Sequence, residues 1–232
     1  MDEEEVPRCC WLIILVIIIL VIVGSIIILI MWDSDSKPSP PPPLPPSITA
    51  DAFTFSQHLS TTPNQSGQSQ VKTTDGSILG DVRQVFLSPP TQQPSRVLIT
   101  DGKLRYEYNG SGANGFEVRW LDYVTTDTSS IKSVDLSDLE RFTVDVSSIK
   151  FANNANTFTL QLNVKDEEGL ESSVVDVLNS SKVVSFDKSS FIGNTPGQVP
   201  DFSKITGIWL GGDFRTGGGN VTLGPLMFVR RN

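Results

Sequence analysis

F-T-L-Q-L-N-V-K-D-E-E-G-L-E-S-S-V-V-D-V-L, residues 158–178, is the stretch that decides the fold. Phe158, Leu160, Leu162 and Val164 alternate with Thr159, Gln161 and Asn163, the period that turns one face of a strand to a core and the other to water. Asp166-Glu167-Glu168-Gly169 then supplies a turn, and Ser173 to Leu178 supplies a partner strand, so the whole reads as a hairpin. The same period recurs on either side. Leu104, Tyr106 and Tyr108 alternate with Lys103, Arg105 and Glu107; Phe116, Val118 and Trp120 alternate with Glu117 and Arg119; Phe142, Val144 and Val146 repeat the pattern. Further strands are expected at Val82–Leu87, Arg96–Thr100, Val183–Phe186, Ile205–Leu210 and Val221–Val229, and a turn at Leu136–Leu139. Roughly ten short strands with Gly-, Asn- and Pro-rich connections predict an all-β domain, two antiparallel sheets packed as a jelly-roll-like sandwich. No internal repeat points to a propeller or solenoid.

Upstream of this domain the chain changes character. After a short polar tail, residues 1–10, the run from Trp11 to Trp32 carries no charged residue. Its length, about 33 Å as a helix, spans a hydrocarbon core of about 30 Å. Trp11 and Trp32 fall where indole rings favour the interfaces. The run exceeds a signal-peptide apolar core, and Asp33-Ser34-Asp35-Ser36 offers no small-x-small cleavage site, so a single uncleaved transmembrane helix is expected. Residues 33–46 follow as a linker, in which Lys37 to Pro46 reads KPSPPPPLPP, a polyproline spacer reaching roughly 30 Å or a PxxP ligand for an SH3 or WW module. Residues 47–232 are the sandwich domain. Arg8 and Lys37 nearly balance the positive charge across the span, and the stalk and the sequons at Asn64, Asn109, Asn179 and Asn220 favour a domain outside the cytosol, glycosylated if the host permits.

Composition excludes several functions. With 18 Lys+Arg against 26 Asp+Glu and a net charge of −8, the chain offers no diffuse positive field for nucleic acid. Both cysteines, Cys9 and Cys10, flank the span, so the domain has no disulfide and no thiolate metal site; beside a membrane they are candidates for lipidation. The single histidine, His58, excludes His-based catalysis and multi-His zinc sites. Asp166-Glu167-Glu168, the densest acidic group, reads as a solvated hairpin turn. No catalytic residue, cofactor or convincing metal site is expected.

The order D-x-F-x-x-x-Q at Asp51, Phe53 and Gln57, I-L-G-D-V-R at Ile78 to Arg83, and I-T-D-G-K-L-R-Y at Ile99 to Tyr106 resembles the galactose-binding-like β-sandwich domains of exported and surface proteins. Asp135 to Val146 and Phe202 to Leu210 resemble segments leading into core strands of related carbohydrate-binding modules. The resemblance implies the sandwich fold rather than a ligand, and related modules often bind a structural calcium ion between the N-terminal Asp and an acidic residue on the last strand. Asp51 matches the first calcium position, but Gly224 stands where an acidic residue of the last strand is expected.

Sugar sites combine aromatic faces with a few polar groups. Tyr106, Tyr108 and Trp120 have core neighbours on their own faces and are expected to be buried, which leaves Tyr123 and Trp209. Gly211 to Gly219 reads as a flexible loop between the last two strands, from which Asp213 and Arg215 could reach a sugar; it lacks the helix and Lys of a phosphate cradle. The expectation is thus a membrane-tethered, surface-displayed module that binds without catalysis, its partners a lipid membrane and a glycan. The alternatives are a structural protein of a surface layer or a membrane-containing virus particle, with surface or capsid protein as partner, and a glycosidase-like enzyme.

Overall fold

Each segment in which alternation was legible forms a strand in the computed structural model, which describes residues 47–231 except 91, 122–132 and 194–197. The chain from Pro45 onward is a unit with its own core. Its strands are β1 (Ser47–Thr49), β2 (Gln57–Thr61), β3 (Gly67–Lys72), β4 (Val82–Leu87), β5 (Ser95–Thr100), β6 (Lys103–Tyr108), β7 (Asn114–Trp120), β8 (Leu139–Ala152), β9 (Phe158–Asp166), β10 (Glu171–Leu178), β11 (Lys182–Asp187), β12 (Ile205–Phe214) and β13 (Gly218–Arg230).

They pair into two antiparallel sheets. One is seven-stranded, in the order β11-β8-β13-β6-β5-β2 with β1 added on β13; the other is six-stranded, in the order β10-β9-β12-β7-β4-β3. The decisive hairpin is β9–β10, with Val174 opposite Leu162 and Leu178 opposite Phe158. Asp166 shapes its turn: it is buried, and its carboxylate accepts from the amides of Glu168, Leu170 and Asp201. The densest acidic group is therefore turn chemistry.

The apolar members of the alternation meet between the sheets. Tyr106 of β6 packs on Phe116 of β7 at 5.0 Å between ring centroids, and Phe158 meets Phe214 at 5.0 Å. A second ring cluster, Phe142, Phe191, Phe202 and Phe228, fills the β8–β13 end. Burying each phenylalanine contributes about 1.5–3 kcal/mol. Tyr106, Tyr108 and Trp120 are fully buried, as their faces predict.

Two expectations need correction. Strands β1, β2 and β3 are additional to the predicted set; QHLST and GQSQVK carry too few apolar residues for alternation to show, and β2 and β3 lie at sheet edges where one face needs little burial. Gly211 to Gly219 is not a flexible loop: β12 runs to Phe214 and β13 begins at Gly218, leaving only Arg215 to Gly217 between them. The glycines serve close packing instead. A Cβ on Gly212 would stand 2.4 Å from Phe158 Cζ, and one on Gly218 2.1 Å from the Tyr108 carbonyl oxygen. The transmembrane run, the stalk, Cys9 and Cys10 lie outside the described residues; no helix among the described residues is long and apolar enough to cross a membrane.

Candidate functional site

The polar members of the alternation cover the outer face of the six-stranded sheet, and strand register sets them in rows. One row runs Val175, Gln161, Gly211, Glu117, Phe86, Gln68 across the six strands. A second runs Ser173, Asn163, Trp209, Arg119, Gln84, Gln70. In a third, Thr159, Asp213 and Gly115 lie side by side. Gly211 leaves a gap between Gln161 and Glu117, and that gap is the floor of a groove of about 270 Å³, with Asp213, Arg215, Thr159 and Asn114 around its end. A Cβ on Gly211 would meet only ordinary contacts, 3.5 Å from the Phe116 carbonyl oxygen and 3.7 Å from Glu117 Cγ. The fold therefore tolerates a side chain there, and the groove does not.

The groove end is anchored through the core. Tyr106 donates its hydroxyl proton to Asn114 Oδ1 at 2.7 Å, and Asn114 Nδ2 donates to the Ser88 carbonyl at 3.0 Å, which ties β7 to the chain leaving β4. Burial pushes the Tyr106 hydroxyl well above the ordinary tyrosine range, so it stays a donor. Asp213 faces the groove half-buried. Its desolvation raises its carboxyl above the usual range, while Arg215 and the Thr159 hydroxyl draw it back down. Asp213 Oδ1 is shielded from water yet accepts no hydrogen bond among the described residues, and the same is true of Gln84 Oε1 in the second row. Such acceptors cost about 1–3 kcal/mol each until a donor reaches them.

Aromatic surface lies beside these acceptors. Trp209 is half-buried in the second row, between Asn163 and Arg119. Arg119 lies over the Phe86 ring at 4.3 Å and donates to Glu117 Oε2 at 2.6 Å from Nη2 and 2.9 Å from Nε. Gln161 Nε2 donates to Asn163 Oδ1 at 2.8 Å. The face thus offers fixed amides, carboxylates and an indole, the donor, acceptor and apolar set that a polyhydroxylated ring requires.

Of the residues singled out from sequence, Trp209, Asp213 and Arg215 share this face or its rim, and Tyr123 lies outside the described residues. Asn64, Asn109 and Asn179 are exposed, whereas Asn220 sits within β13 between Glu107 and Lys150, half-buried. Sequence reasoning missed Gln161, Thr159, Glu117 and Gly211 as site residues. A signal was present: the solvent side of β9 carries a hydroxyl and amides, Thr159, Gln161 and Asn163, where an ordinary solvated face carries charges.

Asp51 does not fit the calcium role. It is fully buried, Oδ1 accepts from the Phe53 amide at 2.8 Å, and Oδ2 accepts from Arg83 Nη1 at 2.8 Å and Trp120 Nε1 at 3.2 Å. Arg83, also fully buried, donates to Gln57 Oε1 at 2.9 Å and to the Phe55 carbonyl. The cation beside Asp51 is the chain's own guanidinium. The D-x-F-x-x-x-Q motif and the arginine of I-L-G-D-V-R are thereby one buried structural network. Among the described residues no grouping of three or more His, Cys, Asp or Glu could hold a metal ion.

No family model and no curated protein matches the chain. Among solved structures it is similar to the family 11 carbohydrate-binding module of a cellulosomal cellulase of Clostridium thermocellum, at 13% identity and TM-score 0.42 over 80% of this chain and 95% of that one. A family 30 carbohydrate-binding module of another cellulosomal cellulase of that organism aligns at 13% identity and TM-score 0.37, over 81% and 99%. An agarase aligns at 12% identity and TM-score 0.36, over 64% of this chain and 22% of the enzyme. At such identities and scores these likenesses decide neither fold nor ligand; the sandwich stands on its own strand register.

Proposed function

We propose that this protein is a non-catalytic glycan-binding module, held to a membrane by the apolar run Trp11 to Trp32 and facing out of the cytosol. The observation that carries the reading is the outer face of the six-stranded sheet: a glycine-floored groove lined by Gln161, Glu117, Asp213 and Arg215, beside a half-buried indole. Sugar hydroxyls exchange hydrogen bonds with carboxylates and amides such as those of Asp213 and Gln161, and a sugar's C–H face covers an indole. The groove, at about 270 Å³, is near the lower end of small-molecule sites. It suits one or two rings of a neutral glycan, with further rings lying toward Trp209.

A glycan array probed with the domain from Pro45 onward tests this reading. Binding to a defined set of neutral oligosaccharides is expected; no sugar-dependent signal, or release of reducing ends on prolonged incubation, contradicts it. The membrane part is tested separately by protease treatment of intact membranes: digestion of a C-terminal epitope without permeabilisation is expected, and protection until detergent is added contradicts an outward domain.

Assembly into a lattice or shell is the second reading, and one observation favours it. Val175, Val177 and Val183 are exposed on β10 and β11, the edge strands of the two sheets. Exposed apolar edges are templates for pairing. Sedimentation of the domain at high concentration separates the readings, since concentration-dependent oligomers are expected only for assembly.

A further inference from the structure

The outer face of the other sheet has a different chemistry. Register across β2, β5, β6, β13 and β8 sets Ser60, Arg96, Glu107, Asn220 and Lys150 in one row, and His58, Leu98, Arg105, Thr222 and Ser148 in the next. Lys103 precedes Arg105 by two residues along β6, on the same face. Arg96, Lys103, Arg105 and Lys150 are all exposed on this face, with Glu107 the one carboxylate in the first two rows and Asp145, exposed beside Gly224 of β13, in that of Lys103. Arg96 donates from Nε and Nη2 to Glu107 Oε2, so that pair is itself neutral, and the positive excess rests on Lys103, Arg105 and Lys150; the Arg96 side chain is nonetheless 60% exposed and Glu107 17%. Among the described residues Lys103, Arg105 and Lys150 have no ion-pair partner. This is a local excess of positive charge on a chain whose net charge is −8.

The patch is also hollowed. A depression of about 350 Å³ is lined by Ser60, Gln93, Arg96 and Asn109, and a smaller one of about 90 Å³ by His58, Leu98 and Arg105. They adjoin at the Arg96–Glu107 pair, which lines both. Arg96 lines both hollows and Arg105 the smaller one, so two guanidiniums stand along a surface that fits a chain carrying an anionic group on successive units. Arginine's planar fork matches carboxylate and sulfate oxygens, and the surrounding hydroxyls and amides suit neighbouring alcohol groups. No large apolar side chain is exposed on β2, β5 or β6 to insert into a lipid surface.

We propose that this face is a second binding site, specific for acidic polysaccharide, in which Arg96 and Arg105 grip carboxylates or sulfates on successive sugar units. It is separate from the neutral-glycan groove, which lies on the other sheet, and does not depend on that reading. Retention here is electrostatic, without an aromatic platform, so it weakens as salt screens it.

The test measures binding of the full-length chain, in nonionic detergent, to immobilised polygalacturonate and chondroitin sulfate, with dextran as the neutral control. Binding to both anionic chains and not to dextran is expected at about 50 mM salt, with loss at about 500 mM. Arg96→Ala with Arg105→Ala should weaken it by about 100-fold, about tenfold for each guanidinium. Gly211→Leu, in the other groove, should leave it unchanged. Both arginines are exposed, so the thermal midpoint should hold. Should it fall, Arg96→Lys with Arg105→Lys, which keeps the charge and removes the fork, must still bind anionic chains more weakly than wild type. The proposal is overturned by equal binding to dextran, by undiminished binding in the double alanine variant, or by stronger capture on duplex DNA than on either polysaccharide.

Discussion

Arg83 and Asp51 are both fully buried, and each is the other's counter-charge. Their geometry offsets the desolvation of two charges, since Gln57, Trp120 and the Phe53 amide fill the remaining hydrogen-bonding positions. Replacing one partner leaves the other charged and alone in the core. Arg83→Met should therefore destabilise the domain by about 3–5 kcal/mol, read from urea unfolding, and adding Asp51→Asn should recover part of that loss. An Arg83→Met domain as stable as wild type would remove this network from the account. Asp213 presents a different case, a half-buried carboxylate at the site whose Oδ1 has no donor among the described residues. Because burial raises its carboxyl, the folded chain holds this proton more tightly than the unfolded chain does. The associated stability is complete below the ordinary carboxylate value of 3.8 and is lost as pH rises through the raised folded value. Asp213→Asn should consequently gain thermal midpoint relative to wild type as pH goes from about 4 to about 7, while binding glycan more weakly. An offset that stays constant across that range would contradict the assignment.

At the scale of elements, what sequence made legible was whatever obeys a period of two with apolar residues on the buried side. Strands β4 to β13 carry such a side, and all ten match expected segments. β2 and β3 were illegible because Gln57 to Thr61 and Gly67 to Lys72 are polar on both faces and sit at edges. The run of glycines after Leu210 misled for a related reason: glycine marks both a flexible loop and a place where two backbones or a ring come close, and sequence alone does not separate the two. Gly212 shows which holds here. Gly212→Ala drives a Cβ to 2.4 Å from Phe158 Cζ and 2.8 Å from Phe116 Cε1, so it should cost about 1–3 kcal/mol. A flexible-loop position would change by less than about 0.5 kcal/mol. The candidate site was half legible. Trp209, Asp213 and Arg215 stand out by residue type, but Gln161, Glu117 and Gly211 become a groove only through the registers of β9, β12 and β7, which no local pattern encodes.

For the whole molecule, the two sheets present different chemistry. They share one core of aromatic and aliphatic side chains, and they turn unlike surfaces outward: amides, Asp213 and Trp209 on the six-stranded sheet, exposed arginine and lysine on the other. A membrane tether would concentrate such a module at a surface, where modest affinity for a glycan suffices if several copies bind together. The central claim is that the glycine-floored groove holds the glycan. Isothermal titration of wild type and Gly211→Leu with the strongest oligosaccharide from the array tests it most directly, since the Cβ it adds meets only ordinary contacts and the rest of the side chain enters the groove. The account predicts an unchanged thermal midpoint and at least about a 100-fold loss of affinity. Equal affinity in the two proteins would contradict it and place the ligand elsewhere on the molecule.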